Sequence, residues 1–303
     1  MRLGIIGGAG VLGSCGAYYA ALNGLVSEII LYDIKKELAQ NHAMDIDQGV
    51  CEFSETKVTV GSLDDLADCK IILNTVGVPD TNALTRDAYL KDNLKICSEI
   101  SEHIKSWNTG PIIINATNPI DVLNYSLFKM CGGGRAHFIG YSKNDTIRFK
   151  WSISIETGIP ASNIYALTIG EHGEKQVPLF STVRRKDTGE PLRFSLEQRQ
   201  IIRRRIDEWF GRMMALGVGR TMGWTSGAGM GQMVEVMLAE SDEVFPCSVI
   251  PNGEYGLHGL SIGLPVRLGM DGVKEIVELP LEPEEKEGLL KAAEKIKSLT
   301  DPL

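Results

Sequence analysis

RLGIIGGAGVLG, residues 2–13, decides the fold. A short apolar run leads into Gly7, Gly8 and Gly10, and from Val11 onward the pattern turns helical. Read from Gly8, the turn is G-x-G-x-x-G. Glycines in such a turn allow a tight bend, close approach of backbone to a pyrophosphate and close helix–strand packing. Phosphates placed there meet the positive end of a helix and its unsatisfied N–H groups. The next apolar run, EIILYD (28–33), ends on Asp33, twenty residues past Gly13. An acid at that distance accepts from both ribose hydroxyls and repels a 2′-phosphate, which favours NAD over NADP. Gly8, Gly10, Gly13 and Asp33 are the expected cofactor-binding residues.

Working outward, the first half alternates short apolar runs with helical stretches. Strands are expected at 2–6, 28–33, 57–60, 70–76, 111–117 and 136–140, with helices at 11–23, 35–48, 86–107 and 119–130. That alternation implies parallel strands joined by right-handed helical crossovers, a doubly wound α/β sheet. CGGGR (131–135) follows a helix and precedes a strand, so it reads as a helix C-cap rather than a phosphate loop. Beyond residue 141 the character changes. A helix at 143–157 leads to strands around a turn at 187–191, a helix at 195–217, and a glycine-rich segment, GWTSGAGMG. A helix through Leu238, further strand-like runs and a final amphipathic helix complete the chain. The expected division is 1–140 as a nucleotide domain and 141–303 as an α+β domain.

The totals exclude several functions. The 303 residues are 43% apolar and 23% charged, the composition of a globular protein. A net charge of −8 argues against nucleic acid, which needs a basic face. The basic run Arg203-Arg204-Arg205 sits among Ile202, Ile206, Trp209, Phe210 and Met213 at helical spacing, and reads as a solvated helix face. Six scattered cysteines and five well-separated histidines form no metal-ligand spacing, so no metal is expected. No apolar stretch reaches the ~18 residues of a membrane span, and MRLGIIGGAG lacks a leader pattern. A reducing cytoplasm is the expected compartment.

His172 stands between glycines in IGEHGEKQVP, just after a predicted strand, and histidine suits proton transfer near neutrality. GGAGVLG with Asp33, ATNPIDVLNY, DTIRF, GEHGEKQVP and VIPNGEYGLHGLSIGLPVRLG follow one another along the chain. In that order they resemble the L-lactate/malate dehydrogenase family, from Arg2 to the final helix. The resemblance implies a Rossmann domain, then the family's α+β catalytic domain, in a homodimer or homotetramer. It implies hydride transfer between NAD and a small 2-hydroxy/2-keto acid. By motif, His172 is similar to the family's proton acceptor and donor, and Asp145 of DTIRF to its orienting partner. Arg148 resembles the arginine that grips the substrate carboxylate. Asn118 of NPID resembles the asparagine donating to the substrate oxygen, and Arg86 the loop arginine that polarises the carbonyl.

The sequence also departs from the family. GYSKND is one residue shorter than the usual segment before the aspartate and carries Lys143 and Asn144. Near GRTMG, either Thr221 or Met222 is expected to face the substrate. In VGVPDTNALTR (76–86), malate enzymes have an arginine for the distal carboxylate and lactate enzymes a neutral glutamine. This chain has Asp80. A carboxylate facing a carboxylate in a water-poor site is costly. The expected substrate is therefore not standard malate, with the glycine-rich 223–231 segment leaving room for another side chain. The alternative is a malate dehydrogenase with a compensating cation such as Arg220. From other classes come an NAD-dependent sugar-processing enzyme and a non-catalytic NAD-binding protein. Tyr125 and Lys129 match the Y-x-x-x-K pair of short-chain dehydrogenases, but Ile112 stands where those enzymes need a serine.

Overall fold

A computed structural model describes residues 1–78, 89–107, 109–218 and 223–301. Strand β1 (Arg2–Ile6) is followed by β2 (Glu28–Tyr32), β3 (Lys57–Val60), β4 (Ile71–Asn74), β5 (Ile112–Asn115) and β6 (Phe138–Gly140). All six are parallel, in the spatial order 3-2-1-4-5-6. Helices α1 (Val11–Leu22), α2 (Lys36–Val50), α3 (Leu90–Ser106) and α4 (Ile120–Cys131) form the crossovers. Both faces of this sheet are covered, so its strands are apolar throughout. Leu3, Ile5, Leu73 and Ile114 pack into one buried cluster, while the alternating Ile6, Ile72 and Ile113 pack into another. The strand order reverses between β1 and β4, which opens a crevice at the carboxyl ends of the strands.

The second half begins with α5 (Lys143–Thr157), then β7 (Ile164–Tyr165), β8 (Thr168–Gly170), β9 (Gln176–Pro178) and β10 (Arg184–Arg185). It continues through α6 (Leu196–Ala215), α7 (Trp224–Leu238), β11 (Phe245–Val249), β12 (Ile262–Gly269), β13 (Gly272–Ile276) and α8 (Pro283–Thr300). β11 joins β6 antiparallel, pairing Ser248 with Gly140, and β12, β8 and β9 extend the same sheet antiparallel. Parallel pairing thus gives way to antiparallel at β6, in one continuous sheet. α4 ends at Gly132 with φ of +70°, the C-cap that CGGGR predicts. Among the described residues no helix is long and apolar enough to cross a membrane.

Three expectations need correction. GWTSGAGMG is helical from Trp224 onward, not an open segment. Its glycines serve packing: a Cβ on Gly227 would lie 2.5 Å from the Cys15 Cβ of α1. One on Gly229 or Gly231 would run into Tyr141 or Tyr19, so the space that segment leaves is already filled. The basic run is not uniformly solvated. Arg203 and Arg204 are exposed, but Arg205 donates to the Ser152 carbonyl (3.0 Å) and hydroxyl (3.1 Å) and pairs with Glu156 at 3.5 Å, pinning α6 to α5. Finally, the strands around 187–191 shrink to the two-residue β10, because side chains build that turn. Asp187 holds Arg185 (2.7 Å) and Asn163 (2.7 Å).

Candidate active site

The nucleotide turn is built by close approaches that only glycine permits. Gly7 has φ of +89°, and the N–H groups of Gly7 and Gly8 donate to the Tyr32 carbonyl at 2.9 and 3.0 Å, tying the turn to the end of β2. A Cβ on Gly13 would collide with the Gly7 carbonyl and the Thr75 hydroxyl. Gly10 is the N-cap of α1; it offers no side chain to the helix N–H groups, and no acid sits in the first turn. That leaves an uncapped, positive helix end facing the crevice. Asp33 stands beside the turn, its Oδ2 accepting from the Ala9 N–H at 3.0 Å and Oδ1 from the Lys35 N–H at 2.9 Å. Gly8, Gly10, Gly13 and Asp33 are therefore together, and the cradle suits a pyrophosphate with a ribose beside Asp33.

The second constellation joins two elements. Asp145 and Arg148 are one helical turn apart near the start of α5, and His172 follows the end of β8. The β8 exit requires glycine, since Gly170 has φ of +88° and a Cβ there would lie 2.8 Å from the Lys175 carbonyl. His172 Nδ1 lies 2.7 Å from Asp145 Oδ2, and Arg148 donates to Asp145 Oδ1 at 3.1 Å. All three are buried or nearly so, with side-chain exposures of 4%, 4% and 13% for His172, Asp145 and Arg148. They line a cavity of about 240 Å³ with Glu171, Ile206, Asp207, Trp209, Phe210 and Lys295 among its other walls. One carboxylate thus holds an imidazole with one oxygen and a guanidinium with the other. Such a pair can exchange a proton through the ring's other nitrogen while the arginine receives an anion.

Asn118 is less directly placed. It precedes α4, its carbonyl accepts from Asn93 at 2.7 Å, and its own Oδ1 is buried with no hydrogen-bond partner among the described residues. It does not line the cavity. Asp80, Arg86, Arg220, Thr221 and Met222 lie outside the described residues. Lys143 and Asn144 turn away from the chemistry toward α7. Lys143 donates to Gln232 at 2.7 Å and lies 3.9 Å above the Phe245 ring; burial pulls its pKa down to about 8. Asn144 bridges Tyr141 (2.7 Å) and Ser226 (2.6 Å). Tyr125 packs against Phe128, remote from the cavity.

Two site residues escape a sequence reading. Trp209 has the helical spacing of a core residue, yet its ring lies 4.2 Å from the Arg148 guanidinium and walls the cavity. Asp121, visible only as the last letter of NPID, accepts the His172 backbone N–H at 2.7 Å and the Ser248 hydroxyl at 2.5 Å. Ser248 in turn meets Ser261 at 2.8 Å, and Asn124 donates to Ser261 at 2.9 Å. This network sits behind the catalytic-type histidine and fixes its main chain.

Burial raises the Asp121 carboxyl to about 7; the Ser248 and His172 hydrogen bonds oppose the rise, and Glu171 and Asp145 add to it. The sign for stability follows. An unfolded aspartate ionises near ~4, so between about pH 4 and 7 the native state binds more protons. Stability contributed by this group therefore falls as pH rises through that window and is level above it. Asp121→Asn, which keeps an acceptor for the His172 N–H, should flatten the fall. Urea midpoints measured across that window check it; an unchanged slope in the variant contradicts the assignment.

Comparison with known proteins agrees with this geometry. Residues 1–140 match the NAD-binding domain of lactate/malate dehydrogenase, and residues 143–302 match its alpha/beta C-terminal domain. A malate dehydrogenase of Halobacterium salinarum is 32% identical over 305 residues, covering 100% of this chain and 99% of its own length. The lactate dehydrogenase of Cryptosporidium parvum, solved with lactic acid and nicotinamide adenine dinucleotide, superposes with a TM-score of 0.91. It is 27% identical and covers 99% of this chain and 97% of its own. The malate dehydrogenase of the same organism gives 0.92 at 27% identity, covering 100% and 98%. With both halves of the chain matched, and the glycine cradle and the histidine–aspartate–arginine cluster in one molecule, the chain belongs to the lactate/malate dehydrogenase family and is an NAD-dependent 2-hydroxyacid dehydrogenase.

Proposed function

We propose that His172, Asp145 and Arg148 form the catalytic centre and that the substrate is a 2-keto acid whose side chain is not simply anionic. The carrying observation is the shared carboxylate, with His172 at 2.7 Å and Arg148 at 3.1 Å from its two oxygens at the wall of one cavity. NAD supplies the hydride-accepting or hydride-donating ring. Gly8, Gly10 and Gly13 let the backbone close on the pyrophosphate, and Asp33 takes the ribose hydroxyls. Asp145 keeps the proton on Nδ1, so His172 removes the hydroxyl proton through Nε2 during oxidation and returns it during reduction. The imidazolium formed is stabilised by the same carboxylate. Arg148 grips the C1 carboxylate with two parallel hydrogen bonds, held flat by Trp209. Asn118 donates to the reacting oxygen, and Arg86 polarises it.

The substrate preference rests on Asp80, which has the wrong charge for a second substrate carboxylate. Its test is a kcat/KM panel of 2-keto acids with NADH and NADPH, run on the native protein and on Asp80→Arg. Expected are NADH over NADPH, a weak native response to oxaloacetate, and a rise of about tenfold in oxaloacetate reduction in Asp80→Arg. A native enzyme that clearly prefers oxaloacetate removes the preference. The names of the relatives favour that second reading, a malate dehydrogenase with another cation supplied to the distal carboxylate.

The same proposal divides the chain at residue 140, where parallel pairing ends, into NAD-binding 1–140 and catalytic 141–303. It also makes the protein a homo-oligomer. Tyr18 on α1, Leu38 and Met44 on α2, and Trp224 on α7 are exposed apolar side chains on neighbouring helices. A solution mass of one 33.1 kDa chain by light scattering would refute it. Six cysteines, none of them in a disulfide, support a reducing cytoplasm.

A further inference from the structure

The cavity around His172 carries more negative charge than the reaction needs. Its lining includes the carboxylates of Asp145, Glu171, Glu174 and Asp207 against the cations Arg148 and Lys295. Asp145 serves His172 and Arg148. Glu171 holds Lys295 at 2.6 Å and accepts the Lys175 N–H at 2.8 Å, and Glu174 lies 4.0 Å from Lys295. Asp207 differs from these. Among the described residues no hydrogen bond or salt bridge meets its carboxylate, although its outer edge reaches water. Partial burial raises its pKa, an effect partly offset by Arg203 one turn earlier and reinforced by Glu208.

The other walls narrow the choice of ligand. Ile206, Trp209 and Phe210 come from the same helix and are apolar. Arg148, with the indole 4.2 Å from it, is committed to the C1 carboxylate in the reading above, and Lys295 is already neutralised by Glu171. A second substrate carboxylate would face Asp207 with no uncommitted cation among the described walls. A chain of methylenes ending in a cation would lie along the apolar wall and meet the one lining carboxylate with no hydrogen bond or salt bridge among the described residues.

We propose that Asp207 is a further specificity determinant of this active site, beside Asp80, and pairs with a cationic terminus on the substrate side chain, a guanidinium being the best geometric match. A guanidinium presents two parallel N–H donors to a carboxylate, which a single ammonium does not. The inference rests on the dehydrogenase reading of the site and names its substrate class.

The test uses three 2-keto acids with NADH: 2-keto-5-guanidinopentanoate, 2-ketohexanoate, whose side chain is uncharged, and 2-ketoglutarate. The quantity read is kcat/KM for the guanidino acid, and for 2-ketoglutarate, relative to 2-ketohexanoate in the native protein, in Asp207→Asn and in Asp207→Lys. The expected native ratio favours the guanidino acid, Asp207→Asn lowers it by about tenfold, and Asp207→Lys shifts preference toward the dicarboxylate 2-ketoglutarate. Asp207 lines the cavity but is exposed, so neither change disturbs the core, and a thermal melt verifies folding. A ratio within about twofold of native in both variants, with His172-dependent turnover intact, overturns the role of Asp207 and leaves the dehydrogenase reading standing. Absence of NADH-dependent reduction of every keto acid by the native protein overturns both.

Discussion

His172→Ala lowers kcat for NADH-dependent keto-acid reduction by about 10³–10⁴-fold, while the Kd for NADH stays where it was. The magnitude is that of a positioned general acid in its optimal protonation state. His172 is nearly inaccessible to water, so no solvent molecule easily takes its place between substrate and Asp145. Asp145→Asn falls close behind, because an amide oriented by Arg148 no longer enforces the tautomer that directs Nε2 to the substrate. Steady-state loss of NADH absorbance with a fluorescence titration for NADH separates chemistry from cofactor binding. An alanine variant within about tenfold of native would remove His172 from the mechanism.

Arg148→Lys raises KM for the keto acid by about 100-fold and lowers kcat as well. Three features of the arginine are lost together: the two-pronged grip on a carboxylate, the hydrogen bond to Asp145 at 3.1 Å, and the cation–π contact with Trp209 at 4.2 Å. A lysine supplies charge without the plane. Because Asp145 loses a partner, His172 is less firmly oriented, which is why kcat falls too. A KM within about threefold of native, with folding verified, would mean that another group receives the substrate carboxylate.

Much of this arrangement was legible before any coordinates. Turn, helix and acid in 2–33 are local in sequence, and their close approaches need glycine at the positions where glycine stands. Asp145 and Arg148 are one turn apart on one helix, so their shared face follows from periodicity. His172 is reached only through motif resemblance, since twenty-seven residues separate it from Asp145 and nothing local specifies that contact. The same limit hid Asp121, which meets His172 across fifty-one positions and Ser248 across 127. Trp209 was hidden for another reason. Helical spacing marks a residue as facing inward but does not distinguish a hydrophobic core from the wall of a cavity. The glycines of 223–231 misled for a related reason, because glycine is poor in an isolated helix and is accepted only when a neighbouring backbone or ring presses against it.

That press of α7 on α1 has a mechanical consequence. The helix that follows the glycine turn comes from the first half, and its partner from the second, meeting at Gly227 with a backbone spacing that admits no side chain. The sheet running from β6 into β11 ties the halves again on another layer. Two such ties, one through the packed helices and one through the sheet, oppose a hinge motion between the halves. The glycine turn and the histidine cavity are then held in register by the frame itself.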